Sequence, residues 1–292
     1  MHSLLLYNGE IRGASDPLIS PGQAGFMNGW GVFSTLRVYD SVLFAFERHY
    51  RRMRHDAQLT RVPMSFSAAQ FEQWLSKLVE ANAVVNATLR VAVVRNRGGA
   101  FEGSGIERDA DVIAFTTELT DWGSGVKLYY VRQGRHAASP FAGAKVTSWL
   151  QNLAWNEEAH ERGFDEVILL NERGEISECT SANIFVISGD NVWTPPLNTS
   201  GCLPGVTRAI LLEEIHVPGI SIAERNLTPA ELEAADQVFI TSTTRNLLPV
   251  LEIEGRRLRQ SSSVIAALSQ EFERYQAFYA AHHAMTKEVV HT

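Results

Sequence analysis

One lysine in the 292-residue sequence stands in a setting that is suited to covalent chemistry. Lys145 follows the small and apolar segment 139–144 and precedes a predicted helix, whereas Lys77, Lys127 and Lys287 lie in patterns typical of surface charge. A partly desolvated amine has a lowered pKa and is a better nucleophile at neutral pH. The sequence therefore indicates Lys145 as a candidate for covalent catalysis, and the alternative is an ordinary loop lysine.

A candidate partner carboxylate, Glu178, stands just before a predicted buried strand. The segments 166–170 and 182–187 have the continuous apolar pattern of buried strands, and the turn at 171–174 is predicted to join them. A glutamate at a buried strand end needs a partner for its charge. Residue type alone leaves open that Glu178 is an exposed strand-edge residue.

A site for an anion is predicted where residue 205 leads into a helix. Gly205 allows a close approach of the backbone, and the amides of Val206 and Thr207 begin a helix whose N-terminus favours an anion such as a phosphate. Ser242 and Thr243 could add hydroxyl donors, or they could be exposed residues at a strand end.

Composition and charge exclude several classes of function. With 45% hydrophobic and 20% charged residues, the chain has the composition of a globular protein and is long enough for two domains. The net charge of −7 argues against a nucleic-acid partner. No signal-peptide pattern or membrane-spanning run is visible, so a cytoplasmic location is expected. Cys179 and Cys202 are expected to be small buried residues, and no metal site is expected.

Hydrophobic periodicity predicts a mixed α/β protein whose pattern is interrupted by turn residues at 120–125. The predicted strands are 4–8, 10–11, 31–38, 42–46, 89–94, 112–116, 126–131, 166–170, 182–187, 191–194, 237–241 and 247–253. Helices are predicted after Lys145 and at 49–60, 67–83, 206–215, 228–234 and 262–279. The glycine-rich segment 98–105 lacks the spacing of a dinucleotide-binding loop and is expected to be a flexible crossover.

The order and spacing of these motifs resemble the class IV, or fold type IV, pyridoxal-phosphate (PLP) enzymes: branched-chain and D-amino-acid aminotransferases and aminodeoxychorismate lyase. The matching segments are 29–37, 145–150, 158–171, 178–185, 203–208 and 240–244. The resemblance covers nearly the whole chain. It implies a smaller N-terminal α/β domain over 1–120, a linker over 121–144 and a larger PLP-binding domain with a β-barrel-like sheet over 145–292, clasping the cofactor in a homodimer.

The resemblance also implies a role for each matching residue. Lys145 would form the aldimine with PLP and then move a proton, and Glu178 would accept a hydrogen bond from the pyridine nitrogen. The other cofactor-binding residues would be Arg52, Val206, Thr207, Ser242 and Thr243. The substrate-binding residues would be Phe33, Thr35, Arg90 and Trp149.

Departures from the family pattern bear on the substrate. Trp30 stands where relatives commonly have aspartate, and Trp149 stands where branched-chain enzymes have a tyrosine that bonds the phenolic oxygen of the cofactor. With Phe33 they would form an apolar wall, beside which Arg90 or Arg95 could contact a carboxylate. The expected reaction is transfer of an amino group from a hydrophobic amino donor to a 2-oxo acid.

Two alternatives stay open at this point. Thr35 matches a threonine that assists elimination in aminodeoxychorismate lyase, and the lyase substrate carries two carboxylates. A second carboxylate is costly to bury without a paired donor, which favours the aminotransferase. The other alternative is a non-catalytic homologue that binds PLP, against which the presence of both Lys145 and Glu178 argues.

Overall fold

The computed structural model describes residues 1–98, 103, 106–260 and 263–290. The chain divides into two compact units. The first unit comprises Met1–Thr120, Ala144–Trp149 and Gln276–Thr292, and the second comprises Asp121–Gly143 and Leu150–Tyr275. Lys145 therefore belongs to the first unit and Glu178 to the second, while the predicted domain limits stay a prediction.

The first unit is built on a six-stranded antiparallel sheet. Its elements are β1 (Leu4–Tyr7), β2 (Glu10–Gly13), α1 (Ala24–Asn28), β3 (Gly31–Tyr39), β4 (Val42–Leu43), α2 (Phe46–Thr60), α3 (Ala68–Ala81), β5 (Ala87–Arg95) and β6 (Ala110–Thr117). The strand order is β2-β1-β6-β5-β3-β4. The predicted β1–β2 hairpin and the long β3 and β5 strands are confirmed.

Local signals set the ends of the helices in this unit. Ser67 caps α3 by accepting a hydrogen bond from the backbone N–H of Gln70, as its position before the helix predicts. The second strand of the next hairpin is shorter than the predicted 42–46. Ala45 has a left-handed backbone with φ of 53°, which ends the strand and starts α2 at Phe46.

The two faces of this sheet have different roles. Alternate residues such as Val32, Leu36 and Val91 are buried in a core against α2 and α3. The residues between them, including Phe33 and Thr35, point to the opposite face because successive side chains of a strand alternate. That second face carries three of the predicted substrate-binding residues, Phe33, Thr35 and Arg90.

The second unit contains a mixed nine-stranded sheet. Its elements, followed by the C-terminal helix, are β7 (Val126–Val131), α4 (Leu150–Glu161), β8 (Glu166–Leu170), β9 (Ile176–Cys179), β10 (Asn183–Ser188), β11 (Asn191–Thr194), α5 (Leu197–Ser200), α6 (Val206–Glu213), β12 (Ser221–Glu224), α7 (Pro229–Ala234), β13 (Gln237–Ser242), β14 (Asn246–Ile253), β15 (Arg256–Arg257) and α8 (Val264–Val290). The strand order is β12-β11-β10-β13-β14-β7-β8-β9, and β15 pairs with β14.

The predicted pairing around Glu178 is wrong. The turn at 171–174 joins β8 to β9, and Glu178 lies within β9 opposite Leu169. β10 pairs with β11 and β13 instead. The buried carboxylate of Glu166 accepts hydrogen bonds from the backbone N–H of Thr180 (3.1 Å) and the hydroxyl of Ser181 (2.6 Å). These bonds fix the bend that separates β9 from β10, and the four-residue β9 is too short for periodicity to reveal.

Other departures from the sequence prediction concern short elements and the C-terminus. The sequence does not predict helices α1 and α5 or strands β12 and β15, and α8 continues to Val290 rather than ending near residue 279. Most of the segment 98–105 and residue 262 lie outside the described residues. Within the described ranges, none of the helices has both the length and the apolar character needed to cross a membrane.

Candidate active site

The backbone of Lys145 is fixed against the sheet of the first unit. The carbonyl of Lys145 accepts a hydrogen bond from the N–H of Phe33 (3.1 Å), and Val146 forms a bridge with Val32. The N–H of Lys145 donates to Oδ2 of the buried Asp56 (3.2 Å). Both the N–H and the carbonyl of Lys145 are therefore hydrogen-bonded, which holds its backbone beside β3.

The side chain of Lys145 lies on an aromatic wall. Its Nζ is 4.5 Å from the centre of the Phe33 ring and 5.8 Å from that of Trp149. The two rings meet edge to face with centroids 5.8 Å apart. The guanidinium of Arg90 lies 4.1 Å from the centre of the Phe33 ring. The amine of Lys145 and the guanidinium of Arg90 thus share one apolar surface, and a guanidinium is suited to a carboxylate.

Arg52 is held by a buried hydrogen-bonded pair on β3 and α2. Its Nη2 donates to Oγ of Ser34 (2.8 Å), which in turn lies 2.8 Å from Nδ1 of His49. The neighbouring Arg51 is exposed, so the two arginines point in different directions, as the helical spacing predicts. Complete burial, followed by the charges of Arg52 and Lys145, holds the pKa of His49 well below its ordinary value of 6.5.

The buried His49 is expected to make the protein less stable in mild acid. In the unfolded chain His49 binds a proton below about pH 6.5, but the folded protein keeps it neutral. Stability is therefore expected to fall as the pH drops below that value, by up to about 1.4 kcal/mol per pH unit for this group. Urea unfolding at pH 5 and pH 7.5 measures this loss, which His49→Gln should reduce. His55→Gln, on the exposed side of the same helix, is the control, and an equal reduction in both variants would contradict the prediction.

Trp30 and Arg95 contact each other, and both donate hydrogen bonds to backbone carbonyls. The guanidinium of Arg95 lies 4.2 Å from the Trp30 ring and donates to the carbonyls of Arg61 and Arg97, both at 2.7 Å. Nε1 of Trp30 donates to the carbonyl of Thr60 (2.8 Å). Of the two arginines predicted to contact a carboxylate, Arg90 is thus the one beside the Phe33 ring.

In the second unit, both carboxylate oxygens of Glu178 have partners. Oε1 accepts a hydrogen bond from Nε of Arg135 (2.9 Å), and Oε2 accepts one from the backbone N–H of Leu203 (3.0 Å). Nη1 of Arg135 donates to Oδ1 of Asn152 (3.2 Å). The Glu178 side chain is only 8% exposed, so this ion pair and the N–H bond hold the carboxylate in one orientation.

The loop that binds Glu178 leads directly into the predicted anion site. Asn183 Nδ2 donates to the carbonyl of Leu203 (2.9 Å), and Gly205 is the N-cap of α6. A Cβ atom on Gly205 would lie 2.0 Å from Oδ1 of Asn183, so any larger residue at this position would require the Asn183 side chain to move. The N–H groups of Val206 and Thr207 in the first turn have no partner within the helix. This close-approach backbone turn fits a phosphate, and Glu178 beside it fits a pyridine nitrogen.

The predicted hydroxyl donors lie at the end of β13. Ser242 is the last residue of that strand, and its Oγ accepts a hydrogen bond from the backbone N–H of Arg245 (3.2 Å). Thr243 follows and is half-buried. Oγ1 of the preceding Thr241 is buried and has no hydrogen-bond partner among the described residues. α6 packs against β13, the strand that ends at Ser242.

Sequence reasoning missed the residues that hold the candidate site residues in place. They are Ser34, His49, Asp56, Arg135 and Asn152. Each is isolated in a local pattern that is ordinary for a helix, strand or loop, so no motif distinguishes it. Cys179 and Cys202 are buried, as predicted, and burial raises the pKa of both thiols. No cluster of metal ligands occurs in the described parts of the chain.

Comparison with known proteins finds relatives that are aminotransferases. The family model for amino-transferase class IV matches residues 31–253. A D-alanine aminotransferase of Bacillus licheniformis is 28% identical over 258 residues, covering 87% of this chain and 89% of that protein. A branched-chain-amino-acid aminotransferase of Salmonella typhimurium is 28% identical over 261 residues, covering 85% of this chain and 84% of the relative.

The fold has a counterpart among solved structures. The crystal structure of an Escherichia coli branched-chain amino acid aminotransferase superposes with a TM-score of 0.87 at 24% sequence identity, covering 94% of this chain and 95% of that one. This likeness confirms the α/β fold of type IV that the sequence predicts, with a smaller sheet and a larger, curled half-barrel sheet.

Proposed function

Because the chain belongs to the class IV aminotransferase family, we propose that it moves an amino group from a hydrophobic amino donor to a 2-oxo acid. The family consists of PLP-dependent enzymes, and PLP supplies an electron sink for the substrate carbon that loses a proton. One observation carries the substrate proposal: the Nζ of Lys145 and the guanidinium of Arg90 lie on the same Phe33 ring.

The residues proposed to hold the cofactor come from several elements. In the first unit, Lys145 would make the covalent link and Arg52, oriented by Ser34 and His49, would bind the phosphate. In the second unit, Glu178 would bond the pyridine nitrogen. The phosphate ligands there would be the N–H groups of Val206 and Thr207 and the hydroxyls of Thr207, Ser242 and Thr243. The close approach of Gly205 to Asn183 and the buried Thr241 hydroxyl, which has no partner among the described residues, support this placement.

Each residue of the aromatic wall has a proposed task in the reaction. Lys145, as a free amine, would take the proton from the α-carbon of the substrate and deliver it to C4′ of the cofactor. Phe33 and Trp149 would exclude water and contact an apolar side chain. Arg90 would bind a substrate carboxylate, and burial lowers the pKa of this guanidinium without preventing it from staying charged.

A panel of amino donors tests this proposal. The enzyme loaded with PLP is mixed with leucine, D-alanine or an (R)-arylalkylamine, and conversion of the cofactor to its amino form is followed spectroscopically, with 2-oxoglutarate then added as the acceptor. We expect leucine to react fastest, since it combines a carboxylate for Arg90 with a larger apolar side chain than D-alanine has, and the arylalkylamine has no carboxylate. No conversion with any donor would overturn the proposal.

Aminodeoxychorismate lyase is the second candidate, and one observation favours it. Thr35 lies opposite Arg90 in the β3–β5 pair, so a hydroxyl accompanies the carboxylate-binding group on the same sheet face. The discriminating measurement is release of pyruvate from aminodeoxychorismate. Fast release, without amino transfer to any 2-oxo acid, would establish the lyase and exclude the aminotransferase. The expected homodimer and cytoplasmic location stay predictions.

A further inference from the structure

The loop that joins β13 to β14 carries two of the proposed phosphate ligands, Ser242 and Thr243. Ser242 ends β13 and pairs with Asn246 at the start of β14, so the loop has only three residues. The Oγ of Ser242 accepts a hydrogen bond from the backbone N–H of Arg245 (3.2 Å). A hydroxyl that accepts such a bond keeps its own proton to donate to a phosphate oxygen. The position of Arg245 therefore affects how the Ser242 hydroxyl is oriented.

The side chain of Arg245 is anchored by protein groups on several sides. Its Nη1 donates to Oγ of Ser181 (2.9 Å), and its Nη2 lies 3.6 Å from Oε2 of Glu166. The guanidinium also lies 3.8 Å from the centre of the Trp122 ring. The Arg245 side chain is only 6% exposed. We therefore expect it to act on a ligand through the residues that it holds, not by direct contact.

Glu166 gives this anchor a fixed base. Its carboxylate is fully buried and accepts hydrogen bonds from the N–H of Thr180 (3.1 Å) and the hydroxyl of Ser181 (2.6 Å). The carbonyl of Thr180 accepts a further bond from Nδ2 of Asn152 (2.6 Å). Glu166 is thus bound to the bend between β9 and β10, and Arg245 joins this bend to the loop after β13.

The backbone ladder of β10 and β13 stops short of these two segments. Its last pair is Asn183 with Thr241. The bend at 180–182 and the loop at 243–245 both lie beyond that pair. The contacts of the Arg245 side chain therefore continue the connection past the end of the ladder.

A buried ion pair is by itself a weak source of stability. Burial lowers the pKa of Arg245, and the charge of Glu166 opposes this shift. Taking two charges out of water has a cost that their attraction often fails to repay, so an apolar pair of similar volume can be equally stable. The 3.6 Å separation also exceeds the roughly 2.7–2.9 Å of a strong charge-assisted hydrogen bond. The pair is therefore better explained by the position that it gives to residue 245 than by the stability that it adds.

We propose that Arg245, anchored by Glu166, is a positioning residue that orients the Ser242 hydroxyl toward the phosphate of the cofactor. This inference rests on the proposed function and its placement of the phosphate, and it adds two residues that act without contacting the cofactor. The guanidinium fixes the side chain of Arg245, and the backbone N–H of the same residue then holds the Ser242 oxygen. Loss of the guanidinium should free the loop and leave the Ser242 hydroxyl without a fixed direction.

The test measures the affinity of the apoenzyme for PLP and for pyridoxal, which lacks the phosphate. The ratio of the two dissociation constants reports what the phosphate contributes to binding. In Arg245→Met this preference for PLP should fall by roughly 10- to 100-fold, the range for one hydrogen bond to a charged group, while the affinity for pyridoxal stays unchanged. A purely structural role of Arg245 would instead lower the stability in urea and weaken both ligands equally. Arg256→Met, an exposed arginine of β15 that pairs with Glu233, is the matched control and should keep the wild-type ratio.

Two further variants keep the test decisive. Glu166→Gln retains an acceptor for Thr180 but removes the charge that anchors Arg245, so it should lower the preference for PLP even if Arg245→Met fails to fold. Ser242→Ala should lower the preference by itself. Combined with Arg245→Met, it should lower the preference no further than the worse single variant, because Arg245 acts through Ser242.

An unchanged ratio in folded Arg245→Met or in Glu166→Gln, or losses that add in the double variant, would overturn the proposal. A wild-type apoenzyme that binds pyridoxal as tightly as PLP would refute the phosphate site and this inference with it. Failure of the proposed aminotransferase function is a distinct result. In that case PLP binds with the expected preference and dependence on Arg245, which supports the positioning role, but no amino donor converts the cofactor.

Discussion

Replacing Lys145 with alanine should abolish covalent attachment of the cofactor and lower turnover of every donor by about 10³-fold or more. General-base catalysis by one positioned group contributes about 10²–10⁴-fold, and the loss of the nucleophile adds to it. The backbone contacts of residue 145 to Phe33 and Asp56 do not involve the side chain, so the fold should persist. Turnover is measured with the best donor, and attachment by the visible absorbance of the lysine-bound cofactor.

Lys127→Ala is the matched control for this experiment. Lys127 is an exposed residue of β7, and its loss should leave turnover and absorbance unchanged. Peptide mapping after reduction with borohydride should find the cofactor on the peptide that contains Lys145. A reduced cofactor on any other lysine, or a Lys145→Ala enzyme with a normal absorbance band, would show that Lys145 is not the residue that binds the cofactor covalently.

Glu178→Gln should retain PLP but slow the proton-transfer step by about 10²–10³-fold. That is the usual loss when one preorganised electrostatic group is removed from an active site. The carboxylate of Glu178 is oriented by Arg135 and by the N–H of Leu203, so in the proposed role its charge would act on the cofactor from a fixed position. The rate is measured with a donor deuterated at the reacting carbon, because a larger isotope effect identifies proton transfer as the slowed step.

Loss of the Glu178 charge also leaves Arg135 without its carboxylate, which costs about 3 kcal/mol if the pair is fully buried and less here. The double variant Arg135→Gln with Glu178→Gln removes both charges and separates folding from catalysis. It should recover stability in urea while the rate stays low. Glu157→Gln, an exposed position on α4, is the control. A near-wild-type rate in Glu178→Gln would exclude the proposed role of this residue.

Much of the candidate site follows from local patterns in the sequence. Lys145 is distinguished by the small and apolar residues that precede it, and Gly205 by its position directly before a helix. Strand alternation predicts that Phe33 and Thr35 share a face, because the period of two is a property of the backbone. Helical spacing likewise separates Arg52 from the exposed Arg51. These features depend on residues within a few positions of each other, which is the range that a single sequence reveals.

The tertiary structure decided which distant residues meet. The partner of Glu178 is Arg135, 43 positions earlier, and no periodicity relates the two. The pairing of β9 with β8 depends on the buried Glu166 and its hydrogen bonds to the segment that follows β9. The placement of Thr35 opposite Arg90 depends on the register of two strands about 50 residues apart, and register is set by packing of the whole sheet rather than by either strand. The sequence thus determined which residues could do the chemistry, and the fold determined which charges are paired, because pairing is a property of long-range contacts.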